Sequence, residues 1–294
     1  MTNNTWIEDW FKKCEEFEIK PWEWDFKQSY AKKSIKTTSP IKLMLEYKIG
    51  KLKEIGVCNS TRKTGSKADC DKEPSSIYDV LWSTDKVIRG ETMNSFVTTF
   101  NHSILKSSYS VEEFEKIGIL IDNSLTKQYA KLISHDFNKF DLIADRIEEF
   151  KKFATFTHCI GNFTVLPHWM NSGRYLFSQD YWDITMYSLF EFFQPLGCWK
   201  KFVERYFLQP YVNNDEEWTV SEFWKGHFAG IGNYNQLKPQ NEQELSEYLH
   251  KVNLRIEERG KWIIKKICEE LKLQHFTFYD ELKDRQIRFS NEMI

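Results

Sequence analysis

The longest helical pattern in the chain lies in residues 241–271. Apolar residues recur there about once per helical turn, at Leu245, Leu249, Val252, Ile256, Ile263 and Ile267. Gly260 is expected to be a soft interruption near the middle of this helix. No stretch alternates apolar and polar residues over any length, so the sequence does not predict an extended sheet. Together these features predict a mainly α fold.

Helical spacing also marks shorter segments of the chain. Four of them are residues 4–18, 139–156, 181–194 and 196–208. The best short strand candidate is residues 163–166, and the aromatic stretch at 22–26 is expected to fill the core, with Asp25 capping the segment after it. We therefore expect a mainly α, single multi-helix domain with long loops and at most short strands.

The 294 residues suffice for one large helical domain, which we place over residues 1–294. Residues 57–75 are polar and contain Gly, Pro and Ser, which predicts a flexible internal loop. The charged residues 272–294 are expected to form a loosely held C-terminal tail.

Composition narrows the function classes. The 41 basic and 43 acidic residues give a formal net charge of −2, which argues against a dedicated non-specific nucleic-acid binder but leaves room for a local basic groove. Six scattered cysteines without a CxxC pair favour reduced thiols over a zinc ribbon or a disulfide framework. With no signal-peptide pattern and no apolar run long enough for a bilayer, a soluble cytoplasmic protein without a membrane partner is expected. Abundant Lys, Ile, Asn and Phe suit a bacterial or phage genome of low GC content.

Residues 156–187 are the most informative stretch for function. Polar side chains stand here among bulky aromatics, at His158, Asn162, His168, Asn171, Arg174, Asp180 and Asp183. Such side chains rarely crowd an aromatic segment unless something polar is held in a dry pocket. The segment therefore predicts a binding or catalytic site.

Several motifs in this order resemble an uncharacterised family of bacterial hypothetical proteins. They are TMNSF at 92–96, HCIGNFTVLP at 158–167, NSGR at 171–174, DYWD at 180–183 and FWKGH at 223–227. The resemblance runs over roughly residues 76–265. It brings no established activity with it.

A shorter stretch, IGNFTVLPHWMN at 160–171, is similar to part of the HNH-like nuclease domain of modification-dependent restriction enzymes. By that resemblance Asn162 and Asn171 match two asparagines that position the loop and the metal site. The family's water-activating histidine lies in an upstream segment. His102 and His135 lack the neighbours of that segment, and His158 stands closer to Asn162 than the family's histidine does.

The resemblance implies metal-dependent nucleic-acid processing, in phage defence or in a toxin-like role. The chemistry of a metal-dependent nuclease then suggests a role for other residues of this stretch, beside Asn162 and Asn171: His158 as base, Arg174 as phosphate clamp, and Asp183 (or Asp180) as ligand of a divalent metal. A purely structural role remains open beside this one. In it His158 caps a helix or bonds a carbonyl, the asparagines satisfy loop backbone groups, and Arg174 pairs with Asp183.

Two further segments supply candidate ligand-binding residues. Arg89, Asn94 and Asn101 belong to one of them, where Asn94, Thr98 and Asn101 are spaced to share a helical face. Trp224, Lys225 and His227 belong to the other, in which Trp224 would stack on a base and Lys225 would meet a phosphate. The alternatives are a solvated helix face for the first segment and a core-filling tryptophan for the second.

Three hypotheses are compatible with the sequence. The first is a nucleic-acid-processing enzyme that uses a divalent metal. The second is a non-catalytic protein that binds a nucleotide or another small ligand. The third is a protein-interaction module, using the exposed face of 241–271 or the Trp-rich N-terminus. The sequence determines neither the oligomeric state nor any other cofactor.

Overall fold

The structure is a computed structural model, and it describes much of the chain in separate stretches. They are residues 5–26, 39–41, 44, 72–82, 90–94, 96–100, 103–104, 112–113, 116, 143–165, 182–221, 226–228, 234–236 and 239–293. Within them the protein is mainly helical, as the apolar spacing predicts. The strands in these stretches are three residues long each.

The described helices and strands succeed one another along the chain. They are α1 (Thr5–Glu16), α2 (Lys72–Trp82), β1 (Gly90–Thr92), α3 (Phe96–Phe100), α4 (Ile143–Arg146), α5 (Glu148–Phe156), β2 (Phe163–Val165), α6 (Trp182–Phe193), α7 (Trp199–Arg205), β3 (Gly226–Phe228), β4 (Tyr234–Gln236) and α8 (Glu242–Leu271). Short 3-10 turns lie at Pro21–Glu23, Ile160–Asn162, Gln209–Tyr211, Thr277–Glu281 and Ser290–Glu292.

Helix α8 is bounded by two local signals. At its start the side chain of Asn241 accepts a hydrogen bond from the backbone N–H of Glu244 at 2.9 Å, which satisfies one of the donors left open at a helix N-terminus. At its end Lys272 adopts a left-handed conformation with φ 59°. The Leu273 N–H then donates to the carbonyl of Cys268 at 2.8 Å, so the last turn is closed by backbone bonds.

Gly260 does not interrupt α8, which corrects the sequence-based expectation. The helix continues unbroken from Glu242 to Leu271. A Cβ on Gly260 would come within 3.1 Å of the Trp22 Cβ, so the small residue admits a close neighbour. Gly260 therefore serves packing.

The core forms around α8. Helix α8 packs against α5, α2 and the turns at Pro21–Glu23, Ile160–Asn162 and Gln209–Tyr211. Trp22 and Trp24 are buried in the same core, as the aromatic stretch at 22–26 predicts. Burying such large rings supplies much of the hydrophobic stabilisation of a helical core.

Two small antiparallel pairs of strands complete the described part of the fold. Strand β1 pairs with β2, with Gly90 opposite Val165 and Thr92 opposite Phe163. Strand β3 pairs with β4. The β1–β2 pair confirms the strand candidate at 163–166 to within one residue, and β2 comes directly after the Ile160–Asn162 turn.

The C-terminal segment is not loose, contrary to the expectation for 272–294. Four of its apolar side chains are buried, those of Leu273, Phe276, Phe278 and Leu282. Two charged contacts also tie it to α8. The Lys265 ammonium donates to the carbonyls of Lys283 and Arg285, and the buried Glu258 carboxylate accepts from both Arg285 and Arg288. The segment uses short 3-10 turns, whose apolar residues carry no long periodicity for the sequence to display.

Two other boundaries differ from the predicted ones. The described part of the 139–156 helix consists of α4 and α5, because Ile147 between them is extended, with φ −94° and ψ 102°. Ile147 is buried, and its carbonyl accepts from the Phe150 and Lys151 N–H groups that start α5. Helix α2 begins at Lys72, inside the predicted 57–75 loop, whose residues 57–71 lie outside the described stretches.

Two observations bear on the expected absence of a membrane span and on the expected reduced thiols. In the stretches that the structure describes, no helix is both long and apolar enough to cross a bilayer. Four cysteines are free thiols, namely Cys14, Cys159, Cys198 and Cys268, while Cys58 and Cys70 fall outside these stretches.

Candidate functional site

The loop that succeeds α5 lies directly against the backbone of α8. A Cβ on Gly161 would come within 1.9 Å of the Ile256 carbonyl oxygen and 2.9 Å of the Gly260 nitrogen. Only glycine permits such an approach, because no side chain is available to move away from a backbone atom. Gly161 and Gly260 therefore fix the loop on the helix. We call residues 157–163 the platform loop.

Asn162 ties the platform loop to the bend after β1. Its Nδ2 donates to the carbonyls of Thr157 and Asn94, at 2.8 and 3.0 Å, and its Oδ1 accepts from the Asn94 N–H at 3.2 Å. The Met93 N–H donates to the Asn162 carbonyl at 2.8 Å. The Asn162 amide thus satisfies backbone groups, which is the structural role that the sequence left open for it.

Arg259 on α8 braces the same loop from the other side. This side chain is fully buried, and its Nη1 donates to the carbonyls of Gly161, at 2.9 Å, and Phe163. Its Nε and Nη2 both donate to the Tyr206 carbonyl at 3.1 Å. No carboxylate within the described stretches forms an ion pair with Arg259, so carbonyl dipoles offset the cost of burying its charge.

His158 lies in the platform loop beside an acidic side chain from the N-terminal part of the chain. The His158 Nδ1 is 3.9 Å from Asp25 Oδ1, and both side chains are almost wholly inaccessible to solvent. The Phe26 N–H donates to the His158 carbonyl at 3.2 Å, which joins the two segments. The Phe163 ring centre lies 6.5 Å from that of the imidazole. The chain therefore places an imidazole and a carboxyl group together in a mostly apolar interior.

A second buried guanidinium, that of Arg255, lies one turn earlier on α8. Its Nη2 donates to the Ser290 hydroxyl at 2.5 Å and lies 3.4 Å from the Ser221 hydroxyl. Burial lowers the pKa of Arg255 to about 9, and the nearby Tyr211 opposes that change. Burial likewise raises the pKa of Tyr211 to about 12, against the effect of the Arg259 and Arg255 charges. This polar layer joins the C-terminal segment to α8.

The structure brings together three of the predicted site residues and leaves the others undetermined. His158, Asn162 and Asn94 are all buried; Asn162 is hydrogen-bonded to Asn94, and His158 lies in the same platform loop as Asn162. Asn94 precedes α3 instead of lying on a helical face with Asn101, which corrects that placement. Six candidates lie outside the described stretches, and they are Arg89, Asn101, Asn171, Arg174, Trp224 and Lys225. For Asp183, at the start of α6, and His227, in β3, only the backbone is described.

The structure offers no ready metal centre among its described residues. The described side chains contain no cluster of three or more His, Cys, Asp or Glu that would hold a metal ion. The expected divalent metal would therefore need ligands from outside these described side chains, where the sequence names Asp183 and Asp180.

Sequence reasoning missed Arg259 and the position of Asp25. Arg259 stands in a run of charged residues, RIEER at 255–259, which is typical of the solvated face of an amphipathic helix. Its one local signal is the neighbouring Gly260. A glycine inside a helix often marks the place where another segment packs closely against it, and a charged residue beside such a place can be buried. Asp25 reaches His158 across 133 positions, and no local pattern predicts such a contact.

Comparison with protein-family models, with curated proteins and with solved structures finds no significant match for this chain.

Proposed function

We propose that the protein processes nucleic acid with a divalent metal, at a site built on the platform loop. In this proposal His158 is the proton acceptor, Arg174 clamps a phosphate, Asp183 binds the metal, and Asn162 and Asn171 hold the loop. The observation that carries it is the set of buried hydrogen bonds by which Asn162 and Arg259 hold the loop that bears His158.

Such fastening is what a reacting group requires. A proton acceptor works only when its geometry is held to a fraction of an ångström, and supporting hydrogen bonds provide that restraint. Arg259 is fully buried and directs its donors at three carbonyls. Burying its charge costs free energy, and an ordinary surface loop would not require that cost. The likeness of residues 160–171 to a nuclease segment supplies the reaction class.

The burial of His158 sets a condition on the proposal. In the described structure this side chain is inaccessible to solvent. A substrate can therefore reach the ring only if the groups that cover it move aside, as lid and loop motions allow in other enzymes.

The interaction-module hypothesis finds less support. Helix α8 buries side chains along most of its length, and the Trp-rich N-terminus contributes Trp10, Trp22 and Trp24 to the core. Among the described side chains the one large apolar group that is strongly exposed is that of Leu196, 61%. One exposed leucine falls well short of the contiguous apolar patch that marks an interface.

The test is a cleavage assay on single- and double-stranded DNA and RNA with magnesium, manganese or zinc. We expect metal-dependent cleavage that chelation abolishes. Arg174→Ala and His158→Gln should each lower the rate at least tenfold in protein shown by circular dichroism to be folded. Lys283→Ala is the matched control, because it removes an exposed basic side chain whose ion pair is with Asp280 and not with the platform loop.

Absence of cleavage throughout the panel would overturn the proposal, as would activity that neither Arg174→Ala nor His158→Gln reduces. In that case thermal unfolding in the presence of nucleotides tests the binding hypothesis, because a bound nucleotide raises the unfolding temperature. A ligand at 100 times its dissociation constant stabilises the native state by about 2.7 kcal/mol.

A further inference from the structure

The contact between Asp25 and His158 joins two parts of the chain that share no secondary structure. Asp25 comes after the Pro21–Glu23 turn, and His158 comes after α5. The Phe26 N–H bond to the His158 carbonyl fixes the distance between the two backbones. The side chains approach to 3.9 Å in a place where neither is exposed.

Asp25 faces the imidazole of His158 in a mostly apolar part of the described structure. Phe163 of β2 and Phe26 line the pair with apolar rings. The Thr157 hydroxyl donates to the Phe153 carbonyl, and the Arg259 guanidinium of α8 donates to carbonyls of the platform loop and Tyr206. Burying a carboxyl group among aromatic rings is unfavourable unless a polar partner offsets the cost.

We propose that Asp25 is the positioning residue for His158: its carboxylate accepts the Nδ1–H of the imidazole and leaves Nε2 as the proton acceptor. This inference rests on the proposed function. A carboxylate on one ring nitrogen selects the tautomer and orients the ring, so the other nitrogen is held ready for a proton. The 3.9 Å separation exceeds a hydrogen-bond length, and the pair tightens when substrate binds, as catalytic hydrogen bonds commonly do.

The pair can be observed without any enzymatic assay. The ring ¹⁵N chemical shifts of His158 report which nitrogen carries the proton. The wild-type protein should show the Nδ1–H tautomer, and Asp25→Asn should change the signals because its amide can turn a donor toward the ring. An Nε2–H tautomer in the wild type would overturn the inference, even if the variant does not fold.

Kinetics supply the second readout. Asp25→Asn should lower kcat at least tenfold with little change in KM, and Asp25→Glu should recover part of the loss. An unchanged kcat in Asp25→Asn would overturn the positioning role. If the wild type cleaves nothing while the tautomer is as expected, the pairing stands and the proposed function fails. If the wild type cleaves nucleic acid but His158 is the Nε2–H tautomer, the proposed function stands and the pairing of Asp25 with His158 fails.

Discussion

At the scale of single residues, one buried amide connects the platform loop to its neighbours. Replacing Asn162 by Ala leaves three backbone groups, the Thr157 carbonyl and the Asn94 N–H and carbonyl, without their side-chain partner. We expect the free energy of unfolding to fall by about 2–4 kcal/mol, since buried polar groups that lose a partner are destabilising. Urea unfolding measures the change. Gln243→Ala, which removes an exposed bond to Glu247, should alter it by less than about 0.5 kcal/mol.

Glycines provide a graded test of close packing. Gly161→Ala should destabilise the protein by about 3 kcal/mol or more, because its Cβ would meet the Ile256 carbonyl oxygen at 1.9 Å. Gly197→Ala has open space around it but a φ of +64°, so it should cost only about 1 kcal/mol. Thermal unfolding of the two variants compares them. Equal effects would show that the loop does not touch α8 as described.

Tyr211 gives stability a dependence on alkaline pH. Its folded pKa is raised to about 12 by burial, above the unfolded value near 10. The unfolded chain therefore loses this proton first as pH rises. The stability contribution is whole below about pH 10 and is lost between about 10 and 12. Tyr211→Phe should unfold with a shallower loss of stability than the wild type over that range, as measured by urea unfolding at successive pH values. Parallel curves would contradict the assignment.

At the scale of elements, the C-terminal segment is an integral part of the core. Leu282 is fully buried, so Leu282→Ala should lower the free energy of unfolding by about 2–4 kcal/mol. Leu196→Ala is the matched control, because that leucine is 61% exposed and should change stability by less than about 0.5 kcal/mol. Chemical denaturation distinguishes them. If Leu282→Ala leaves the free energy of unfolding unchanged, the segment is a loose tail, as its charged composition predicts.

The elements that the sequence predicts well are those whose burial is regular. Helices α1, α6 and α8 match their predicted ranges within a few residues. Each buries a single continuous apolar stripe, and such a stripe produces the regular spacing that the sequence displays. The prediction for the segment after Leu271 was wrong because its apolar residues lie in short turns. The break at Ile147 was missed because a single extended residue barely alters the spacing of the apolar stripe.

At the scale of the whole molecule, α8 gathers segments that are distant in sequence. Arg259 reaches the loop at Gly161 and the turn at Tyr206, while Gly260 meets Trp22. Apart from the Gly260 beside Arg259, these contacts have no local signature in the sequence. By contrast, the sequence did mark His158 and Asn162 as candidate site residues, because polar residues among aromatics stand out within a single stretch of sequence. The contact of Asp25 with His158, and the bonds from Arg259 to the Gly161 and Phe163 carbonyls, became known only from the fold.

The central claim is that the platform loop is fixed in the core by bonds from three directions. Hydrogen exchange of three amides tests it most directly: Phe26, bonded to the His158 carbonyl, Met93, bonded to the Asn162 carbonyl, and Asn94, bonded to the Asn162 side chain. We predict that all three exchange only with global unfolding, with the same free energy as the slowest amides of α8. Exchange of these amides through local opening, several kcal/mol below the global value, would contradict the account.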